Sequence, residues 1–69
     1  MILQQHHLKL KKQIKGEYDQ LNNKDGSWIY YWPNGKIMKN GRYSKNNKNG
    51  EWNYYFENGI LQHVLFRGI

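Results

Sequence analysis

The sequence predicts an all-β protein, an open, twisted antiparallel meander of about five strands built from a 24-residue repeat, with no helix. Three observations predict it. The run Gly26-Ser27-Trp28-Ile29-Tyr30-Tyr31-Trp32-Pro33-Asn34-Gly35 returns 24 residues later as Gly50-Glu51-Trp52-Asn53-Tyr54-Tyr55-Phe56-Glu57-Asn58-Gly59. A fixed period of this size is the mark of a repeat architecture. Apolar and polar residues alternate with a period of two, which is the pattern of a half-buried strand. Each aromatic run also ends in Asn-Gly, the strongest short hairpin signal.

In chain order, residues 1–7 are expected to be a frayed lead-in, and His6 and His7 would point to opposite sides of a strand, which makes them poor joint metal ligands. Residues 8–18 form the first predicted strand, with Leu8, Leu10, Ile14 and Tyr18 on one parity and Lys9, Lys11, Gln13, Lys15 and Glu17 on the other. Asn22-Asn23-Lys24-Asp25-Gly26 is turn chemistry, since Asn and Asp tolerate the left-handed region and Gly supplies positive φ. A strand from Ser27 to Trp32 follows. With Asn34-Gly35 as a two-residue type I′ turn, Trp32 falls opposite Ile37, Tyr30 opposite Lys39 and Trp28 opposite Gly41. The Trp28 indole would then cover Gly41. The return strand spans 36–44, and residues 45–50 read as a second polar turn. The strand 51–56 and the turn Asn58-Gly59 repeat the arrangement, placing Phe56 opposite Leu61, Tyr54 opposite His63 and Trp52 opposite Leu65. The last strand runs from about Ile60 to Arg67.

One parity of this register collects a single apolar face. It holds Leu8, Leu10, Ile14, Tyr18, Trp28, Tyr30, Trp32, Ile37, Tyr43, Trp52, Tyr54, Phe56, Leu61 and Leu65. A lone sheet with one apolar face must curl on itself or find a cover, so self-association or a partner is expected. The final segment, Val64 to Ile69, has no proline or charge run to blunt it, and an edge of that kind recruits another strand. A homodimer or a partner strand is expected there.

Sixty-nine residues make one small domain, with a partial copy of the repeat at 8–25 and full copies at 26–49 and 50–69. The chain has no cysteine, which excludes disulfides and thiolate metal sites and favours a reducing, cytoplasmic setting. It shows no apolar run long enough for a transmembrane segment and no signal-peptide core, so a soluble, unprocessed protein is expected. The net charge of +6 comes from nine lysines and two arginines against five acids. That balance suggests an acidic partner or an anionic polymer.

Catalysis has little support. Ser27 and Ser44 have no His nearby in sequence, His63 reads as a packed side chain opposite Tyr54, and Glu51 and Glu57 lie too far apart along one strand to work as a pair. No metal or cofactor site and no enzymatic activity are expected. The opposite parity offers Tyr31, Tyr55, Phe66 and Arg42 amid Lys9, Lys11 and Lys15, and aromatics interleaved with lysines can stack bases and neutralise phosphates. Two arginines supply few bidentate contacts, however, and the aromatics follow the structural period. Nucleic acid or anionic lipid therefore ranks below protein as a partner.

Gly-x-Trp-x-Tyr-Tyr-x-x-Asn-Gly at 26–35 and 50–59, with Gly41-Arg42-Tyr43 between, resembles the MORN repeat, and in particular the bacterial variant found in antitoxins of toxin–antitoxin systems. Gly16-Glu17-Tyr18 followed by Asp25-Gly26 looks like the back half of an earlier copy with one extra residue in the turn, so the resemblance covers residues 16–61. It implies an open sheet used for protein–protein contact and, in some members, contact with anionic lipid. The expected function is a non-enzymatic module that neutralises a partner protein with an acidic surface, an antitoxin or inhibitor. A phage-type inhibitor of a bacterial defence nuclease is the related alternative. The candidate partner-binding residues are Lys9, Lys11, Lys15, Tyr31, Arg42, Tyr55, Phe66 and Arg67.

Overall fold

The computed structural model describes residues 13–67. They form one antiparallel sheet in the order β1-β2-β3-β4-β5, with β1 at Ile14–Lys15, β2 at Gly26–Tyr31, β3 at Ile37–Ser44, β4 at Asn47–Tyr55 and β5 at Leu61–Arg67. Sequence neighbours are sheet neighbours throughout, which is the predicted meander. Among the described residues there is no helix, and so none long and apolar enough to cross a membrane. The principal extents of 50 × 34 × 10 Å leave room for a single layer.

The turns correct the sequence reading in chemistry rather than position. Asn34-Gly35 and Asn58-Gly59 are not two-residue type I′ loops. Positive φ occurs at Gly35 (90°) and Gly59 (94°) but not at either asparagine. Gly35 N donates to Trp32 O at 2.8 Å and Trp32 N to Lys36 O at 2.8 Å; Gly59 N donates to Phe56 O and Phe56 N to Ile60 O, both at 2.9 Å. Each loop therefore has three residues, a type I turn closed by a left-handed glycine. Proline explains the first case. A two-residue loop would need a Pro33 N–H facing Lys36, and proline has none. The type I′ turn of this sheet is Lys45-Asn46, where φ is 49° and 71°. It replaces the long turn expected over 45–50, and β4 begins at Asn47.

The register holds at Tyr30–Lys39, Trp28–Gly41, Tyr54–His63 and Trp52–Leu65. Nearer the loops it slips by one residue. Tyr31 faces Ile37 and Tyr55 faces Leu61, leaving Met38 and Gln62 as the extra residues of two equivalent bulges. A one-residue slip moves a side chain to the other face. Ile37 and Leu61 therefore leave the predicted apolar face and join Tyr31 and Tyr55.

Two tryptophans organise the packing. The Trp28 ring lies over Gly16 rather than Gly41: a Cβ on Gly16 would overlap the indole, whose Nε1 donates to Glu17 O at 2.9 Å. Gly41 is covered instead by Trp52, whose Nε1 donates to Arg42 O at 2.9 Å. Both rings lean over the preceding strand, where a backbone carbonyl satisfies the indole N–H that burial would otherwise orphan. They are the only buried side chains among the described residues, Trp28 at 3% and Trp52 at 0% exposure. The rest of the predicted core is far more open. Ile14, Tyr18, Phe56, Leu61 and Leu65 are all exposed, because the described residues form no second layer over the sheet.

Within the described residues the first strand ends at Lys15, three residues before its predicted end. Its described part is Ile14–Lys15, paired with Ile29 and Tyr30, followed by an isolated bridge from Tyr18 to Lys24. Leu8 and Leu10 lie outside the described residues.

Candidate functional site

The two faces of the sheet differ in chemistry. On the aromatic face, Trp28, Tyr30, Tyr43 and Trp52 form a continuous chain of ring contacts with centroids 5.1–6.4 Å apart, and Tyr18 meets Trp28 edge-on at 5.1 Å. Tyr54 and His63 stack at 4.7 Å with 5° between their planes. Three lysines lie across these rings. Lys24 Nζ sits 5.1 Å from the Trp28 centroid and 5.0 Å from that of Tyr43. Lys48 Nζ sits 4.9 Å from Trp52 and 5.7 Å from Tyr54, and Lys39 Nζ 4.6 Å from Tyr30.

These contacts explain how a single-layer sheet hides an indole. The lysine side chains reach across the rings that a second layer would cover elsewhere and set their ammonium groups over the ring faces. Their hydrogen-bond partners are tyrosine hydroxyls: Lys24 Nζ donates to Tyr30 OH at 3.5 Å and Lys48 Nζ to Tyr54 OH at 3.1 Å. The hydroxyls of Tyr30 and Tyr43 are themselves 3.0 Å apart. Burial, reinforced by the hydrogen bond to Tyr30, pushes the Tyr43 phenol above its ordinary value of 10.0.

The carboxylates other than that of Glu17, which lies against Gly26, the cross-strand partner of Tyr43, are placed elsewhere. Among the described residues the only acid within a strand is Glu51, which pairs with Phe66 and so points away from its neighbour Trp52. Asp19 sits in a turn. The backbone N–H of Asn23 holds its carboxyl below the usual 3.8, with help from the Asn23 side chain, the Leu21 N–H and Lys45, against a smaller opposing effect of burial. Asp25 accepts from Lys45 N, and Glu57 lies in the second hairpin loop, where its carbonyl accepts from Asn34 Nδ2 at 3.0 Å.

Of the residues singled out from the sequence, Lys15, Tyr31, Arg42, Tyr55 and Phe66 share the opposite face, as their cross-strand partners show. They do not converge. Tyr31 and Tyr55 are half-buried near the hairpin loops, whereas Arg42, whose Nη1 donates to Ser27 Oγ at 3.1 Å, and the exposed Phe66 lie toward the Lys45-Asn46 turn. Between them Asn53 Nδ2 donates to Asn40 Oδ1 at 3.1 Å. Arg67 pairs with Gly50 and belongs to the aromatic face. Lys9 and Lys11 lie outside the described residues.

The sequence reading missed Lys24, Lys39 and Lys48. A signal for two of them was present: Lys24 and Lys48 each precede a tryptophan by four residues and a tyrosine by six. No family model, no curated protein and no solved structure matches this chain.

Proposed function

We propose that the protein is a non-enzymatic binding module that neutralises a partner protein, as an antitoxin or inhibitor does, by covering part of its surface. The observation that supports this reading is the open sheet itself. Five strands in one layer 10 Å thick present half-exposed aromatic rings and basic groups, and no other described residues form a layer against either side. Tyrosine, tryptophan and arginine are the residue types that dominate interface energetics. Lysines around them would speed encounter with an acidic target. A cysteine-free chain suits a cytoplasmic place of action. The edge of β5, which pairs with no other strand than β4 among the described residues and carries Phe66 at 75% exposure, is where a partner strand or a second copy would add. A nuclease inhibited in this way is one form of the same mechanism.

The test is affinity capture from the native host at moderate salt, followed by an activity assay on what is captured. A discrete protein whose activity falls on binding is the expected result. Recovery of nucleic acid alone, with affinity falling steeply as salt rises, would replace this reading with one of polyanion binding.

A further inference from the structure

We infer that the docking surface is the aromatic face and that its ligand is a carboxylate-rich protein segment, held by two lysine–tyrosine clamps at corresponding positions of the repeat; the inference rests on the binding-module reading above. Lys48 Nζ and Tyr54 OH stand 3.1 Å apart, a gap that the two oxygens of one carboxylate can bridge. The hydroxyl accepts from the ammonium, so its own hydrogen is free to donate outward, as are the remaining ammonium hydrogens. Lys24 and Tyr30 form a looser copy at 3.5 Å, in which the Tyr30 hydroxyl also shares a hydrogen bond with Tyr43 OH and the outward donors are the Lys24 ammonium hydrogens. Both ammonium groups are already placed by the rings beneath them, so closing on a ligand costs less side-chain entropy than it would for a free lysine.

Charge complementarity specifies the ligand. Lys24, Lys39 and Lys48 lie on this face, Arg67 is directed to it by its pairing with Gly50, and the one strand carboxylate, Glu51, points away; against these cations the nearest acid is Glu17, whose carboxylate lies against Gly26, the partner of Tyr43. Protein carboxylates fit better than nucleic acid. Single strands bind by stacking bases on open rings, and here Trp28 and Trp52 are 3% and 0% exposed beneath their lysines. The clamps are also spaced. Trp28 is on β2 and Trp52 on β4, two inter-strand steps or about 10 Å apart, with Lys39 on the strand between. Acids at positions i and i+7 of one helix face match that span, at about 1.5 Å of rise per residue.

The probe is a blocked helical peptide with glutamates at i and i+7, titrated into the full chain and followed by proton–nitrogen NMR. The Nε1–H signals of Trp28 and Trp52 should shift together, while the Asn53 side-chain amide on the opposite face stays in place. Lys24→Gln and Lys48→Gln should each weaken binding about twofold to fivefold. The double variant should bind no better than the parent binds a peptide with glutamines at those positions. Shifts confined to Asn53 and its face, no shift at all, or tighter engagement of the aromatic face by a dT oligonucleotide or phosphatidylserine vesicles would each overturn the inference. A native protein partner mapped to the other face would overturn it while leaving the binding-module reading intact. Peptide binding without any neutralised protein would do the reverse.

Discussion

Replacing Gly41 by alanine tests the packing of Trp52 by the sign of its effect. Gly41 has no positive φ, so its backbone accepts alanine without strain. In an ordinary strand the change would stabilise by about 0.5–1 kcal/mol, because glycine there gives up more chain entropy on folding. Here the new Cβ would overlap Cγ, Cδ2 and Cε2 of Trp52, a side chain with 0% exposure. Relief requires lifting the ring, which carries an overpacking cost of about 1–3 kcal/mol. It also strains the Nε1 bond to Arg42 O, worth about 1 kcal/mol. Set against that entropic gain, a destabilisation of about 1–3.5 kcal/mol follows, lowering Tm by roughly 5–25 °C for a domain of this size. Thermal melts followed by circular dichroism read the stability, and tryptophan emission should move to longer wavelength as the ring meets water. A Gly41→Ala variant at least as stable as the parent, with unchanged emission, would show that Trp52 does not lie on Gly41.

Lys48→Met should keep stability close to that of the parent, since the stem over Trp52 is retained, whereas Lys48→Ala should uncover the ring and cost about 1 kcal/mol in a chemical denaturation series. Equal losses for the two would assign the effect to charge instead of cover. Asp19 ties stability to acid. Its carboxyl titrates lower in the folded chain than the ordinary 3.8, so its contribution is present above that value and disappears as pH falls through the lower folded value. Asp19→Asn should flatten the stability profile as pH falls below the ordinary carboxylate value of 3.8, and a profile of unchanged slope would refute the turn geometry around Asn23.

How much could be read in advance depended on the range of the interaction. The alternation of Ser27 to Trp32 and of Glu51 to Phe56 needs only neighbouring residues, and both strands formed. The Asn-Gly pairs marked the hairpins correctly, yet Pro33 turned the first loop into a three-residue one. The missing N–H was visible in the sequence and was outweighed by a dipeptide signal. The second loop, with Glu57 where the first has Pro33, adopts the same form, and the slip at each loop displaced Ile37 and Leu61, because with a period of two a single extra residue exchanges faces.

The amino-acid order thus determined the strands, their sequential pairing and the residues at the centre of the packing, since these follow from local periodicity and short loops. Only the tertiary structure decided which glycine each indole covers, because an aromatic ring can lean over either neighbouring strand and the choice falls to the side that offers an acceptor for its N–H. It also decided that Lys24, Lys39 and Lys48 belong to the aromatic face. In the sequence a lysine is a charge. Across a single-layer sheet its stem is also the covering a tryptophan needs, and that use appears only when strands distant along the chain bring ring and ammonium together.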